Sequence, residues 1–344
     1  MQKEIKISVE NGVGIITLTR EKAINALTAN MIILIGKTLE DWSKDPAISM
    51  VLFEGSGERG FCAGGDVRWT REEIMAGKIQ MVSEFFATEY KMNLMIATYP
   101  KAIIALTHGV VMGGGIGLAG HAKYRITTQS ARFAMPEAAI GLFCDVGVRS
   151  IMAGIERHRA LMFMFSAQLV SSADAVMLDL ADAAIADGDF LAVRKQIIAI
   201  GKANDLDKEI SKIIRNNKIQ AEVASFCQLA DRFAHVFKGN DCAEIYSRLE
   251  QYANGSSDFS TIATIILGQC PTSNFVHLHA LDAAIKQPDI ASVLKTDLLL
   301  SRYLATRSDF SEGVRAVLVD KDRQPKWSPK NIKQVDKNAI MQLI

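Results

Sequence analysis

The chain is predicted to fold as an α/β layered domain followed by a mainly helical region, and three observations carry that prediction. Through the first half, short runs rich in Ile, Val and Thr alternate with glycine-rich loops and helical patterns, as strands and helices packed in layers require. From about Ser172 onward helical periodicity dominates. The 344 residues, 49% of them hydrophobic, suffice to bury a substantial core without disulfides or metal.

Taken in order, Ile5 to Glu10 and Gly14 to Thr19 read as two strands joined at Asn11-Gly12, a hairpin signal. Thr28 is placed to cap a helix in which Met31, Ile32, Ile35, Leu39 and Trp42 recur at spacings of three and four and so form one buried face. Val51-Leu52-Phe53 reads as a buried strand, Ala102 to Leu106 as a strand entering the Gly113-Gly114-Gly115 run, and Tyr124 to Thr128 as another, with mixed or parallel pairing. The stretch Asp205 to Asn254 is richer in Lys, Asp, Glu and Asn, which suggests exposed helices and a boundary near residue 200. The expected organisation is therefore a core over 1–200 and a mainly helical region over 201–344. Val293, Leu294, Leu298, Tyr303 and Leu304 form a further amphipathic helix, and Asp320 to Pro329 is polar and punctuated by proline.

Lysine plus arginine (39) nearly balance aspartate plus glutamate (38), so the chain lacks the overall basic charge of a protein held by nucleic-acid phosphates. No apolar run reaches the roughly 20 residues that span a bilayer. Five scattered cysteines without a CxxC pair indicate neither a disulfide framework nor a zinc site. The stretch Met1 to Lys6 shows no targeting signal, and a cytoplasmic protein is expected.

The chemistry concentrates in three segments. Met135 to Gly147 places Glu137 and Asp145 eight residues apart in apolar sequence, where burial would raise the pKa of Glu137. A structural salt bridge or a capping acid would also account for Glu137, and Asp145 could equally be the N-cap of a helix from Val146 to Ala153. The run His108 to Gly115 could open a helix at Gly114 whose unpaired N–H groups face a developing oxyanion. One such donor contributes about 3 to 4 kcal/mol to transition-state stabilisation. Gly60 to Asp66 follows a strand and could aim N–H groups at an anion, or could be a tight turn needing positive φ. Glu89 lies on a helical face with Val82, Phe85, Phe86, Met92 and Ile96, and needs a partner there. His108 and His121 lack any nucleophilic-triad signature, and Cys62 and Cys144 read as packing residues.

Asn25-Ala26-Leu27-Thr28, Phe61-Cys62-Ala63-Gly64-Gly65-Asp66, His108 through Gly115 and Met135-Pro136-Glu137 together resemble the enoyl-CoA hydratase/isomerase (crotonase) superfamily in order and spacing. The resemblance implies a crotonase-like spiral β-β-α core binding an acyl-CoA thioester, the carbonyl oxygen held by the N–H groups of Gly65 and Gly114. Lys22, Ala23 and the loop of Ala63, Gly64 and Asp66 would face the CoA nucleotide. Members of the superfamily often form trimers or hexamers, so a homo-oligomer is an expectation.

Enoyl-CoA hydratases carry glutamates three and twenty-three residues beyond the middle glycine, positions that are Gly117 and Glu137 here, so one hydratase acid is missing. The set Glu89, Gly114, Glu137 and Asp145 is instead similar to that of 3-hydroxyisobutyryl-CoA hydrolases. So is the tail, with Pro271-Thr272-Ser273, Asp309 through Asp322 and Pro325-Lys326-Trp327. The implied activity is cofactor-free thioester hydrolysis: Glu137 as nucleophile or general base, Asp145 on the substrate hydroxyl, Glu89 orienting the set. Two alternatives stay open, an enoyl-CoA hydratase or isomerase using Glu137 alone and a non-catalytic acyl-CoA-binding protein. The chain departs from the usual Phe-Pro-Asp-Val-Gly-Gly by reading Phe143-Cys144-Asp145-Val146-Gly147-Val148-Arg149, which bears on acyl specificity.

Overall fold

The structure, a computed structural model, describes residues 4–220 and 222–344. Met1, Gln2 and Lys3, on which half of the targeting expectation falls, and Ala221 lie outside the described residues. The strands are β1 (Ile5–Glu10), β2 (Val13–Leu18), β3 (Met50–Gly55), β4 (Gly60–Cys62), β5 (Ala102–Thr107), β6 (Val110–Met112), β7 (Tyr124–Thr128), β8 (Arg132–Ala134), β9 (Val170–Ser171) and β10 (Ala183–Ile185). The helices are α1 (Ala29–Lys44), α2 (Val67–Met75), α3 (Ile79–Ala97), α4 (Gly114–Ala119), α5 (Val148–Met152), α6 (Arg157–Ser166), α7 (Ser172–Met177) and α8 (Phe190–Ala199). They continue as α9 (Leu206–Asn217), α10 (Ser225–Arg232), α11 (Cys242–Ala253), α12 (Ser260–Gly268), α13 (Pro271–Lys286), α14 (Ile290–Ala305), α15 (Ser308–Val314) and α16 (Lys337–Met341).

The chain forms two compact units interleaved along the sequence. The first comprises Met1–Gly65, Thr88–Phe133 and Val170–Ala224, and the second Asp66–Ala87, Ala134–Leu169 and Ser225–Ile344. Residues 201–224, beyond the boundary expected near residue 200, thus belong with the sheets, and the reason is packing. Ile210 and Ile213 of α9 join Val193 and Ile197 of α8 against Val13, Ile15, Met50, Leu52, Ile104, Leu106, Ile126 and Ile185.

Those strand residues belong to a six-stranded sheet of order β1-β2-β3-β5-β7-β10. Its first pair is antiparallel and the remaining pairs are parallel. Glu10 pairs with Val13, leaving Asn11 (φ 50°) and Gly12 (φ 82°) as the turn, both left-handed as a two-residue hairpin demands. On α1 the Thr28 hydroxyl accepts from the Met31 amide at 3.2 Å, and Met31, Ile32, Ile35, Leu39 and Trp42 are the buried face, as the spacing predicts. A Cβ on Gly14 would come within 2.5 Å of the Trp42 ring, so α1 lies hard against β2. A second sheet of order β4-β6-β8-β9 carries the loops of the candidate site.

In the second unit the first two turns of α13, Pro271 to Leu278, are buried on all sides, Phe275, Val276 and Leu278 beside the polar Asn274 and His277, while Ile285 and Lys286 at its end are exposed. It packs on α5, α6 and the turn that holds Glu137. Among the described residues no helix is long and apolar enough to cross a membrane.

Candidate active site

In the first unit, the backbone around Gly65 is tied down residue by residue. After β4 ends at Cys62, the Ala63 amide donates to the Ile24 carbonyl at 2.9 Å and the Leu27 amide donates to the Gly64 carbonyl at 2.8 Å. Gly64 takes φ 97°, which a side chain would resist. Asn25, fully buried and left-handed at φ 56°, donates from Nδ2 to the carbonyls of Ser56, Gly60 and Phe61 at 3.0 to 3.1 Å. The sequence showed Asn25 only as part of a motif; its structural work is to bracket the loop leading to Gly65.

Gly114 opens α4, as the triple glycine predicts, so its N–H has no carbonyl within the helix and sits at the positive dipole end. A Cβ built on Gly114 would stand 3.4 Å from the Gly65 nitrogen and 2.5 Å from Glu89 Oε1. Gly65, Gly114 and Glu89, widely separated in sequence, are therefore neighbours. Glu89 is 2% exposed, and Val82, Phe85, Phe86, Met92 and Ile96 of α3 are buried with it. One turn further along α3, Asn93 is completely buried with neither amide atom hydrogen-bonded, a residue sequence reasoning missed although its spacing of four from Glu89 was visible. Gly117 is buried within α4 and supplies no carboxylate.

In the second unit Pro136 starts a 3-10 turn over Pro136–Ile140, with Glu137 at its second position, 7% exposed. The C-terminal motifs build this turn's support. The Cys270 amide donates to the Ala138 carbonyl at 3.0 Å, just ahead of Pro271-Thr272-Ser273. Gly313 approaches so closely that a Cβ there would lie 2.5 Å from Ile140 Cα, and one on Gly141 would meet the Asp309 backbone at 2.6 Å.

Asp145 is 8% exposed and does not cap a helix. α5 starts only at Val148, with Gly147 (φ 76°) as its cap residue and no side-chain cap, so the N-cap reading of Asp145 gives way. The reason is the left-handed pair Val146 (φ 52°) and Gly147, which turns the chain between Asp145 and the helix. The Cys144 amide donates to His277 Nε2 at 2.9 Å and the Gly147 amide to Asp297 Oδ2 at 2.8 Å. Burial pushes the Cys144 thiol up, and the nearby Glu137 and Asp145 carboxylates push the same way, so it stays a thiol. The Cys62 thiol is likewise pushed up to about 12 by burial.

The remaining candidates sit nearer the surface. Lys22, exposed, and Ala23 belong to a short 3-10 turn, and beside it a cleft of about 480 Å³ is lined by Glu21, Ile24, Ser56, Gly57, Glu58 and Arg59. Asp66 accepts from the Trp69 amide at 3.4 Å as the cap of α2. His108 bonds through Nε2 to the Gly57 carbonyl at 2.7 Å, with its ring edge-on to Phe190.

The Enoyl-CoA hydratase/isomerase family profile matches residues 13–344. The 3-hydroxyisobutyryl-CoA hydrolase, mitochondrial, of Homo sapiens is 32% identical over 343 residues, 98% of this chain and 87% of the relative. The chain belongs to the 3-hydroxyisobutyryl-CoA hydrolase subfamily of the enoyl-CoA hydratase/isomerase family. A Dictyostelium discoideum relative of the same name is 31% identical over 334 residues, 94% of this chain and 87% of its own. Among solved structures, a carnitinyl-CoA dehydratase from Mycobacterium thermoresistibile superposes with a TM-score of 0.91 at 27% identity, over 99% of this chain and 96% of that one. An enoyl-CoA hydratase from Rhodobacter sphaeroides 2.4.1 gives 0.87 at 29% identity, over 99% and 97%. The crotonase fold expected from the motifs is thus the fold of this subfamily member, helical C-terminal region included.

Proposed function

We propose that the protein hydrolyses the thioester of a short β-hydroxyacyl-CoA, 3-hydroxyisobutyryl-CoA first among them, giving 3-hydroxyisobutyrate and CoA as in valine breakdown. One observation carries the choice of reaction: the chain keeps Glu137 and Asp145 but has Gly117 where a hydratase needs its second acid. The hydrolase names of relatives at 31 to 32% identity over nearly the whole chain support it.

In this reading the N–H groups of Gly65 and Gly114 receive the thioester oxygen as it becomes an oxyanion. Glu137 either attacks the carbonyl carbon, giving an anhydride that water then opens, or takes a proton from the attacking water. Sulfur leaves as the CoA thiolate and is protonated. Asp145 accepts from the substrate hydroxyl, Glu89 orients the set, and Lys22, Ala23, Ala63, Gly64 and Asp66 meet the CoA nucleotide. The proposal needs no metal or redox cofactor and no nucleic-acid or membrane partner, and it includes self-association. It also places the protein in the cytoplasm; the relatives above are named mitochondrial, so fractionation of the native cell tests that part.

The likeness to a dehydratase and a hydratase favours a second reading, water addition or isomerisation through Glu137 alone. One assay separates the two: 3-hydroxyisobutyryl-CoA, 3-hydroxypropionyl-CoA and crotonyl-CoA are offered while free thiol and enoyl absorbance are followed together. Thiol release that Glu137→Gln abolishes supports hydrolysis. Absorbance change without thiol rejects it, and binding with neither signal points to a non-catalytic acyl-CoA-binding protein.

A further inference from the structure

The turn that carries Asp145 is held in a conformation its own residues disfavour. Val146 is β-branched and 1% exposed, yet its φ of 52° lies in the left-handed region that such side chains avoid. Local chemistry does not provide for this. A strained peptide persists only where its surroundings over-determine it, and here they do so from both sides.

On the N-terminal side the Cys144 N–H donates to Nε2 of His277. Because an amide can only donate, Nε2 must be the lone-pair nitrogen, so the ring proton sits on Nδ1 and is given to Asn274 Oδ1 at 3.3 Å. Asn274 in turn donates from Nδ2 to the Tyr246 hydroxyl at 3.0 Å, which completes a buried chain. On the C-terminal side Asp297 takes the Gly147 N–H on Oδ2 and the Arg149 guanidinium on Oδ1, both side chains at most 1% exposed. Arg149 donates further to the Ala280 carbonyl at 2.8 Å and lies over the Phe143 ring at 5.6 Å. Burial raises the Asp297 carboxyl while Arg149 and the Gly147 amide draw it back down.

Cys144 is a position at which the chain departs from the usual subfamily pattern, and the departure is used. A proline at 144 would offer no N–H to His277.

We propose that Asp297, with Arg149 and His277, is a positioning residue for Asp145: the two arms hold the left-handed Val146–Gly147 turn shut and thereby aim the Asp145 carboxylate at the substrate hydroxyl. This rests on the reading of Asp145 given above. The clamp is then a determinant of specificity, acting on the discrimination between an acyl group with the β-hydroxyl and one without.

The test compares kcat/KM for 3-hydroxyisobutyryl-CoA and isobutyryl-CoA. Two charge-neutral pairs avoid stranding a buried charge, Arg149→Met with Asp297→Asn, which keeps an acceptor for the Gly147 N–H, and Arg149→Met with Asp297→Leu, which removes it. The Asn pair is expected to hold the ratio, and the Leu pair to lower it about tenfold or more, because a hydroxyl that the site no longer grips is no longer selected. A folded Leu pair with an unchanged ratio overturns the proposal. If the Leu pair does not fold, His277→Leu against the acceptor-keeping His277→Gln gives the same readout on the other arm: loss in the first with retention in the second supports the clamp, and equal ratios overturn it. Loss of folding by both Leu variants also overturns it, leaving a purely structural contact. Asp145→Asn is the control. An unchanged ratio there rejects the role of Asp145 itself, and the positioning of it falls for that separate reason.

Discussion

Glu89 Oε1 lies 2.5 Å from where a Cβ would sit on Gly114, closer than real Cβ atoms come to any neighbour. A methyl at the head of α4 would thus collide with a carboxylate on another helix, besides whatever the Gly114 N–H does. Gly114→Ala must push the buried Glu89 carboxylate aside or move the α4 terminus away from Gly65. We expect kcat for thioester hydrolysis to fall about 100-fold, the scale of one displaced oxyanion donor. Glu89→Asp, shorter by one methylene, makes room for the methyl. In the double variant the two losses should therefore combine to less than their sum, and strict additivity in kcat would show that the collision does not matter.

Asn25 holds three carbonyls with one amide nitrogen, those of Ser56, Gly60 and Phe61. Replacement by alanine removes these bonds in a fully buried place and puts a side chain at left-handed φ without the polar group that eases it. The expected cost is about 2 to 4 kcal/mol, read as a lower urea midpoint. Asn25→Asp is nearly isosteric but sets a carboxylate oxygen against the same carbonyls, so it should destabilise more than alanine does. Equal midpoints for the two variants would mean that the amide donor is not what matters.

What could be read from the chain depended on distance along it. The Asn11-Gly12 hairpin, the Thr28 cap, the buried face of α1 and the helix at Gly114 are local, and turn chemistry or periodicity within a few residues dictates each. The clamp on Asp145 was not legible, because His277 and Asp297 are 133 and 150 residues from the amides they accept. Asp145 itself reads equally well as a helix cap until Val146 is seen to be left-handed, and nothing in a valine signals that. α13 hid its polar interior for a different reason: its first two turns, Pro271 to Leu278, are buried on all sides and so show no amphipathic stripe in which Asn274 and His277 would stand out.

His277 gives the protein a pH dependence of stability with a definite sign. Burial first, and the Arg149 charge second, lower its pKa from 6.5 to about 3. Between those values the unfolded chain binds a proton that the folded chain refuses. Stability is therefore full above about pH 6.5 and declines as pH falls through the window, by up to roughly 1.4 kcal/mol per pH unit. Protonating the ring would also put an N–H on Nε2, where the Cys144 amide already points its own. His277→Gln retains an acceptor but cannot titrate. Urea unfolding at pH 7 and pH 5 should show the unsubstituted protein losing about 2 kcal/mol more than the variant on acidification. Parallel losses in the two proteins would place the titrating group elsewhere.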